Sequence, residues 1–351
     1  MKNGKVRIGF VGVGNMGQCA HLRSYVTIPD CEVVALAELR ERTGRLVAER
    51  YGIARAYGTV GEMLAEEELD GIVASQPYRR HGLILEQLAG RGCPIFIEKP
   101  LARSVEVGER IVGMLNGGAN RLMVGYHKRS DPATEYAKAE VDRLKESGEL
   151  GALRYVRVTM PPGDWVAGGF AHRLDAGDPK PALARDPGPS DMDKEATNRY
   201  DSFVNYYIHQ VNLLRHLLGE PYDVTYADPA GVLMAGSSRS GVPCLLELAP
   251  YRTSVDWQET ALVAFERGYV KLKLPAPLAS NRPGTVEILK DPGNGAVPTT
   301  LAPQLPWEGA MQRQARNFVS VVRGEAEPPC GAAEALEDLR VAREYVRMTS
   351  G

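Results

Sequence analysis

Two clusters of residues in this 351-residue chain have the types and spacing for chemistry. Glu98-Lys99-Pro100 places a carboxylate and a cation at the end of the apolar run Ile95-Phe96-Ile97, and strand ends are where open α/β sheets bind ligands. Taken alone, a solvated charge pair before a helix-starting proline explains the tripeptide equally well. Upstream, Gly12-Val13-Gly14-Asn15-Met16-Gly17 is a GxGxxG that follows a strand pattern and opens a helix. Gly12 permits the tight turn, Gly14 lets the backbone approach a pyrophosphate, and Gly17 lets helix and sheet pack closely. The helix N-terminus then offers N–H groups to the anion. Gly12, Gly14, Asn15 and Met16 are the expected contacts of a dinucleotide.

Glu38 ends the second strand pattern roughly twenty residues after this fingerprint, where a carboxylate can accept hydrogen bonds from the adenosine ribose diol. A 2′-phosphate would be repelled there, so NAD is the expected cofactor. Arg40 could turn toward a phosphate, which leaves NADP open.

The elements that must hold these residues alternate as in a doubly wound parallel sheet. Strands are expected at Val6–Val11, Glu32–Ala37, Gly71–Ala74, Ile95–Ile97 and Leu122–Tyr126, with helices at Met16–Thr27, Glu41–Tyr51, Val60–Glu67, His81–Ala89 and Val105–Leu115. Residues 1–126 thus read as a Rossmann domain, and 127–351 as an α+β domain with a mostly antiparallel sheet. In the second part the helix Ala133–Ser147 precedes strand patterns at Leu153–Met160, Val224–Ala235, Pro243–Ala249, Thr260–Phe265 and Tyr269–Leu274. Helices follow at Gln312–Val322 and Ala332–Arg347. Between Pro161 and Tyr200 runs a long Pro-, Gly- and Asp-rich stretch without periodicity, either a lid or substrate loop or a mobile surface insertion.

With 44% hydrophobic and 25% charged residues and a formal net charge of -2, the composition is that of an ordinary soluble protein. No basic block suggests nucleic acid or an anionic membrane as partner. Five cysteines without CxxC or metal-type spacing suggest reduced thiols and no metal site. No apolar signal core or membrane-length stretch is evident, so a cytoplasmic location is expected.

The fingerprint, the acid after strand two, Pro77-x-x-x-His81, Glu98-Lys99-Pro100 and a later helix carrying His209 together resemble the Gfo/Idh/MocA oxidoreductase family. Arg129-Ser130-Asp131-Pro132 is similar to the family segment that enters the second domain, and Gly148-Glu149-Leu150-Gly151 to the turn before its first strand. The resemblance implies a homo-oligomeric NAD(P)-dependent oxidoreductase acting on a secondary alcohol or ketone of a sugar, sugar derivative or cyclitol. It also keeps two rivals in view: an NAD-dependent glycosidase working by transient oxidation, and a sugar-sensing regulator that has lost catalysis.

Within this resemblance Lys99 would sit near the nicotinamide and the reacting hydroxyl, with Glu98 holding the nicotinamide ribose. The Lys99 ammonium can stabilise a developing alkoxide, and the His209 imidazole can serve as general base. Gln76, Pro77 and His81 fall on the cofactor side, although a capping or core role suits His81 equally. On the substrate side fall Asn205, Tyr126, Arg129, Trp165 and Arg173, with a basic interdomain connector the simpler account of Tyr126 to Arg129.

From Asp201 to Gly219 the spacing predicts one amphipathic helix, with Asp201, Asn205, His209, Asn212 and His216 on its polar stripe and Phe203, Tyr207, Val211, Leu214 and Leu218 opposite. The family commonly carries carboxylates at the positions of Asn205 and Asn212. These neutral amides can orient a hydroxyl but cannot stabilise an imidazolium by charge.

Overall fold

A computed structural model of the chain describes residues 4–116, 121–160, 163–249, 251 and 253–349. The start of the aperiodic stretch, 161–162, and the first residues, 1–3, lie outside them. The described contacts divide the chain into two units: Met1–Tyr126 with Gly168–Met192 and Met311–Leu339, and His127–Ala167 with Asp193–Ala310 and Arg340–Gly351. The boundary expected at residue 126 is thus one of several, because later segments return to the first unit. Among the described residues no helix is long and apolar enough to cross a membrane.

The first unit is built on a parallel sheet of β1 (Val6–Val11), β2 (Cys31–Ala37), β3 (Arg55–Tyr57), β4 (Gly71–Ala74), β5 (Ile95–Glu98) and β6 (Leu122–Gly125), in the order β3-β2-β1-β4-β5-β6. The order reverses between β1 and β4, which opens a crevice at the carboxyl ends of these strands. Crossover helices are α1 (Gly17–Leu22, a π-type turn continuing as Arg23–Tyr25), α2 (Glu41–Tyr51), α3 (Val60–Glu66), α4 (His81–Leu88) and α5 (Val105–Asn116). The strand β3, too short and polar to show a pattern, was not anticipated.

Strands β4 to β6 are buried along nearly their whole length, as expected of a sheet covered on both faces. Part of that cover comes from far along the chain. Phe318 packs edge-on against Tyr25 and Phe96, with ring centroids 6.3 and 5.8 Å apart.

The second unit holds an eight-stranded sheet. Its strands are β7 (Leu153–Met160), β8 (Tyr222–Ala227), β9 (Leu233–Ser238), β10 (Pro243–Leu248), β11 (Glu259–Phe265), β12 (Gly268–Leu274), β13 (Thr285–Lys290) and β14 (Thr299–Leu301), in the order β14-β13-β12-β11-β7-β10-β9-β8. Pairing is antiparallel except between β10 and β7. The strand expected at Val224–Ala235 is instead a hairpin, because a turn closed by Gly231 N–H to Asp228 O interrupts it. On β7 the alternation places Val156, Val158 and Met160 in the core. Helices α6 (Pro132–Ser147), capped by Asp131, and α8 (Ile208–Leu218) cover one face.

The single helix expected from Asp201 to Gly219 is two: α7 (Lys194–Tyr206) and α8, with Tyr207 as the joint. Its stripes also differ from a wet and a dry face. Asp201 and Asn212 are buried, whereas Asn205 is exposed. Helix α8 packs on β7 and β10, so its polar residues need partners inside the fold. After β14 come α9 (Ala310–Arg323) and α10 (Ala332–Met348).

Candidate active site

The glycine loop forms the floor of a cleft of about 630 Å³ in the first unit. Its lining includes Gly12, Gly14, Asn15, Glu38, Arg40, Gln76 and Pro77, the residues expected on the cofactor side. A Cβ at Gly12 would overlap the Gln76 side chain, and its φ of 87° suits glycine. At Gly14 a Cβ would meet nothing within 4 Å, so this backbone is open to a ligand on the cleft side. A dinucleotide pyrophosphate fits that opening, at the start of α1. Met16, His81, Glu98 and Lys99 do not line this cleft.

Glu38 is almost wholly buried and already engaged. Its Oε2 accepts from Val13 N at 2.9 Å, and Arg40 Nε and Nη2 grip the two carboxylate oxygens at 2.9 Å each. Burial alone would push this carboxyl up, yet the bonds from Arg40 and Val13 hold it below the ordinary value. Arg40 is therefore folded onto Glu38 in a two-toothed ion pair.

The Lys99–Pro100 bond is cis, and Lys99 N–H donates to Glu98 Oε2 at 3.1 Å. Glu98 Oε1 lies 2.5 Å from His21 Nε2, on α1. Burial pushes the Glu98 carboxyl up, but the neighbouring His21 imidazole and Lys99 outweigh it and its pKa falls. His81 is fully buried; its Nδ1 lies 2.9 Å from Pro100 O and its Nε2 3.2 Å from Gln76 O. Desolvation lowers its pKa. It is a strut between the end of β4 and the turn after Lys99.

In the second unit His209 lies in the first turn of α8, half-buried, with its ring edge-on to His127 at 4.4 Å between centroids. The next residue, Gln210, donates through Nε2 to Glu259 Oε1 at 2.8 Å. Glu259 also binds Lys128 Nζ and accepts from Trp257 Nε1 at 3.1 Å. Arg129 is buried and donates through Nε to Asn212 Oδ1 at 2.7 Å. The amide at 212 thus serves a guanidinium. Trp165 is half-buried beside Leu278, whose N–H donates to its carbonyl. Tyr126 is buried at the end of the first unit's sheet.

Residues 6–126 match the profile of the oxidoreductase family with an NAD-binding Rossmann fold, Gfo/Idh/MocA. This stretch, about a third of the chain, is similar to that family's NAD-binding domain. Myo-inositol 2-dehydrogenase of Thermotoga maritima is 23% identical over 64% of this chain and 58% of that protein. An uncharacterized oxidoreductase of Bacillus subtilis, YrbE, is 22% identical over 95% of this chain and 92% of its own length. The matched stretches span 42% to 58% of the length of several curated inositol dehydrogenases. A crystal structure of an oxidoreductase from Agrobacterium radiobacter, in complex with NAD+, L-tartaric acid and magnesium, has a TM-score of 0.72 at 15% identity. It covers 99% of this chain and 97% of its own, a likeness of fold.

Several residues near this cleft carry little signal in the sequence. His21 stands one helical turn after Gly17, a spacing that could have pointed it toward the sheet. Arg80 and Lys180 line the cleft, as does Arg173, which was expected on the substrate side. Arg173 Nη1 donates to Asn15 Oδ1 at 3.2 Å. Nothing in the aperiodic stretch signals that Leu174 exchanges hydrogen bonds with the Gln18 side chain.

Proposed function

We propose that the protein is an NAD-dependent oxidoreductase that moves hydride between the nicotinamide and a secondary alcohol or ketone of a sugar, sugar derivative or cyclitol. The observation that carries this reading is the glycine loop with Gly14 open to a cleft that the buried Glu38 also lines. The inositol dehydrogenases among the relatives support the substrate class.

The bound nicotinamide would supply the hydride acceptor or donor. The open backbone at Gly14 and the N–H groups opening α1 would hold the pyrophosphate, and Glu38 would receive the adenosine ribose. Lys99, at the end of β5, would stabilise negative charge on the substrate oxygen. His209 would take or return the proton, with Asn205 orienting a hydroxyl.

The reading is tested by following NAD reduction with sugars, aminosugars and inositols. Turnover with at least one of them is expected, and Lys99→Ala should lower kcat by about 100- to 1000-fold while NAD still binds. Normal turnover in His209→Ala would remove the histidine from the mechanism. Tight NAD binding without turnover of any compound would replace the enzyme with a sensor.

A further inference from the structure

The segment Gly168–Met192 has no regular secondary structure, yet it is tied to the first unit along its length. Leu174 N–H donates to Gln18 Oε1 at 2.9 Å, and Gln18 Nε2 donates to Leu174 O at 3.0 Å. Asp186 accepts from Gly82 N in the first turn of α4 at 2.9 Å. Between these anchors Asp178 sits on the N-terminus of α2. Its Oδ2 accepts from Thr43 N at 2.8 Å and Thr43 Oγ1 at 2.7 Å, and its Oδ1 from Arg42 N at 3.2 Å and Arg42 Nε at 3.3 Å.

A helix N-terminus attracts an anion through its free N–H groups and its dipole, and here an aspartate of the same chain supplies it. This N-terminus begins at Glu41, one residue past the cleft lining. Arg40, the residue before α2, lines the cleft beside Glu38, and so does Lys180, two residues after Asp178. The Arg40 guanidinium is held in its charged form first by Glu38, with Asp175 and Asp178 adding to the field.

We propose that Asp178 is a cofactor-specificity residue, whose carboxylate fills the anion-binding start of α2 and shuts out the 2′-phosphate of NADP. The inference rests on reading the cleft as the NAD site. Glu38 alone is a weak filter, because Arg40 neutralises it and can itself meet a phosphate. A phosphate on the ribose 2′-oxygen would draw on the Arg40 and Arg42 guanidinia, Lys180 and the N–H groups of Arg42 and Thr43. Asp178 occupies several of these donors and adds a like charge. Without its charge, the same donors become a cationic pocket.

The test is calorimetric titration of the full chain with NAD, NADP, 5′-AMP and 2′,5′-ADP, which needs no turnover. The wild type is expected to favour 5′-AMP over 2′,5′-ADP. Asp178→Asn, which keeps the shape, and Asp178→Ala should each shift that ratio toward 2′,5′-ADP by about tenfold or more. Thr43→Val loosens the same segment but keeps the carboxylate, and should leave the ratio within about twofold. An unchanged ratio in both Asp178 variants with melting temperatures retained, or an equal gain in Thr43→Val, overturns the proposal. Absence of NAD and 5′-AMP binding by the wild type would instead overturn the reading of the cleft.

Discussion

His21 Nε2 and Glu98 Oε1 lie 2.5 Å apart, with the imidazole shut away from water and the carboxylate nearly so, immediately before Lys99. The pair ties the helix that opens at the glycine loop to the strand end that carries the lysine. Because Glu98 also accepts from Lys99 N–H, its orientation is transmitted to the backbone of Lys99.

His21→Ala should therefore act on both stability and rate. Removing one member of a buried pair leaves the other unpaired, a loss of about 3 kcal/mol that chemical denaturation would measure. The kinetic signature is a fall in kcat larger than any rise in KM for NAD. A variant with unchanged stability and kcat would show that Glu98 needs no partner.

Asp186 joins the segment at 168–192 to α4. A Cβ at Gly82 would meet Asp186 Oδ1 at 2.6 Å and Arg110 Nη2 at 2.8 Å, so the carboxylate sits where a side chain would otherwise be. Asp186→Ala should cost about 1 kcal/mol, the worth of a helix cap. It should also expose this segment to limited proteolysis ahead of the rest of the chain, read by mass spectrometry of the first fragments.

Lys128 and Glu259 form an ion pair in the core of the second unit, with Gln210 and Trp257 completing the carboxylate's bonds. Glu259→Gln leaves the ammonium buried without its counter-charge and should cost about 3 to 5 kcal/mol. The double variant Lys128→Met with Glu259→Gln should recover part of that loss. A double-mutant cycle in urea checks it, and additive losses would contradict the pairing.

Acid should weaken the second unit through Glu140. Hydrogen bonds from Arg143, and then from Lys290, lower its carboxyl from 4.5 to about 2. A carboxyl lowered in the folded state stabilises above its unfolded value, so the contribution is present above about pH 4.5 and fades toward pH 2. The site is partly solvated, so screening keeps the effect modest. Melting temperatures between pH 6 and pH 3 should fall less steeply in Glu140→Gln than in the wild type; parallel curves would remove Glu140 from the acid response.

The glycine loop, the acid after β2 and the charged end of β5 were legible because each follows from a local requirement. A tight turn beside a sheet needs Gly12, a parallel strand buried on both faces reads as a continuous apolar run, and strand ends in open sheets meet ligands. Such rules act over a few residues, and these elements stand where the pattern placed them. What tertiary structure alone decided is how distant side chains pair. His21 meets Glu98 across 77 residues, Arg129 meets Asn212 across 83 and Thr43 meets Asp178 across 135. Whether a polar residue becomes a wet face or a buried partner depends on which elements pack over it, and periodicity carries no record of that. Thus Asn212, on a stripe expected to face solvent or a cleft, lies in the core, while an aperiodic stretch rich in Pro, Gly and Asp is anchored beside the cleft at the glycine loop.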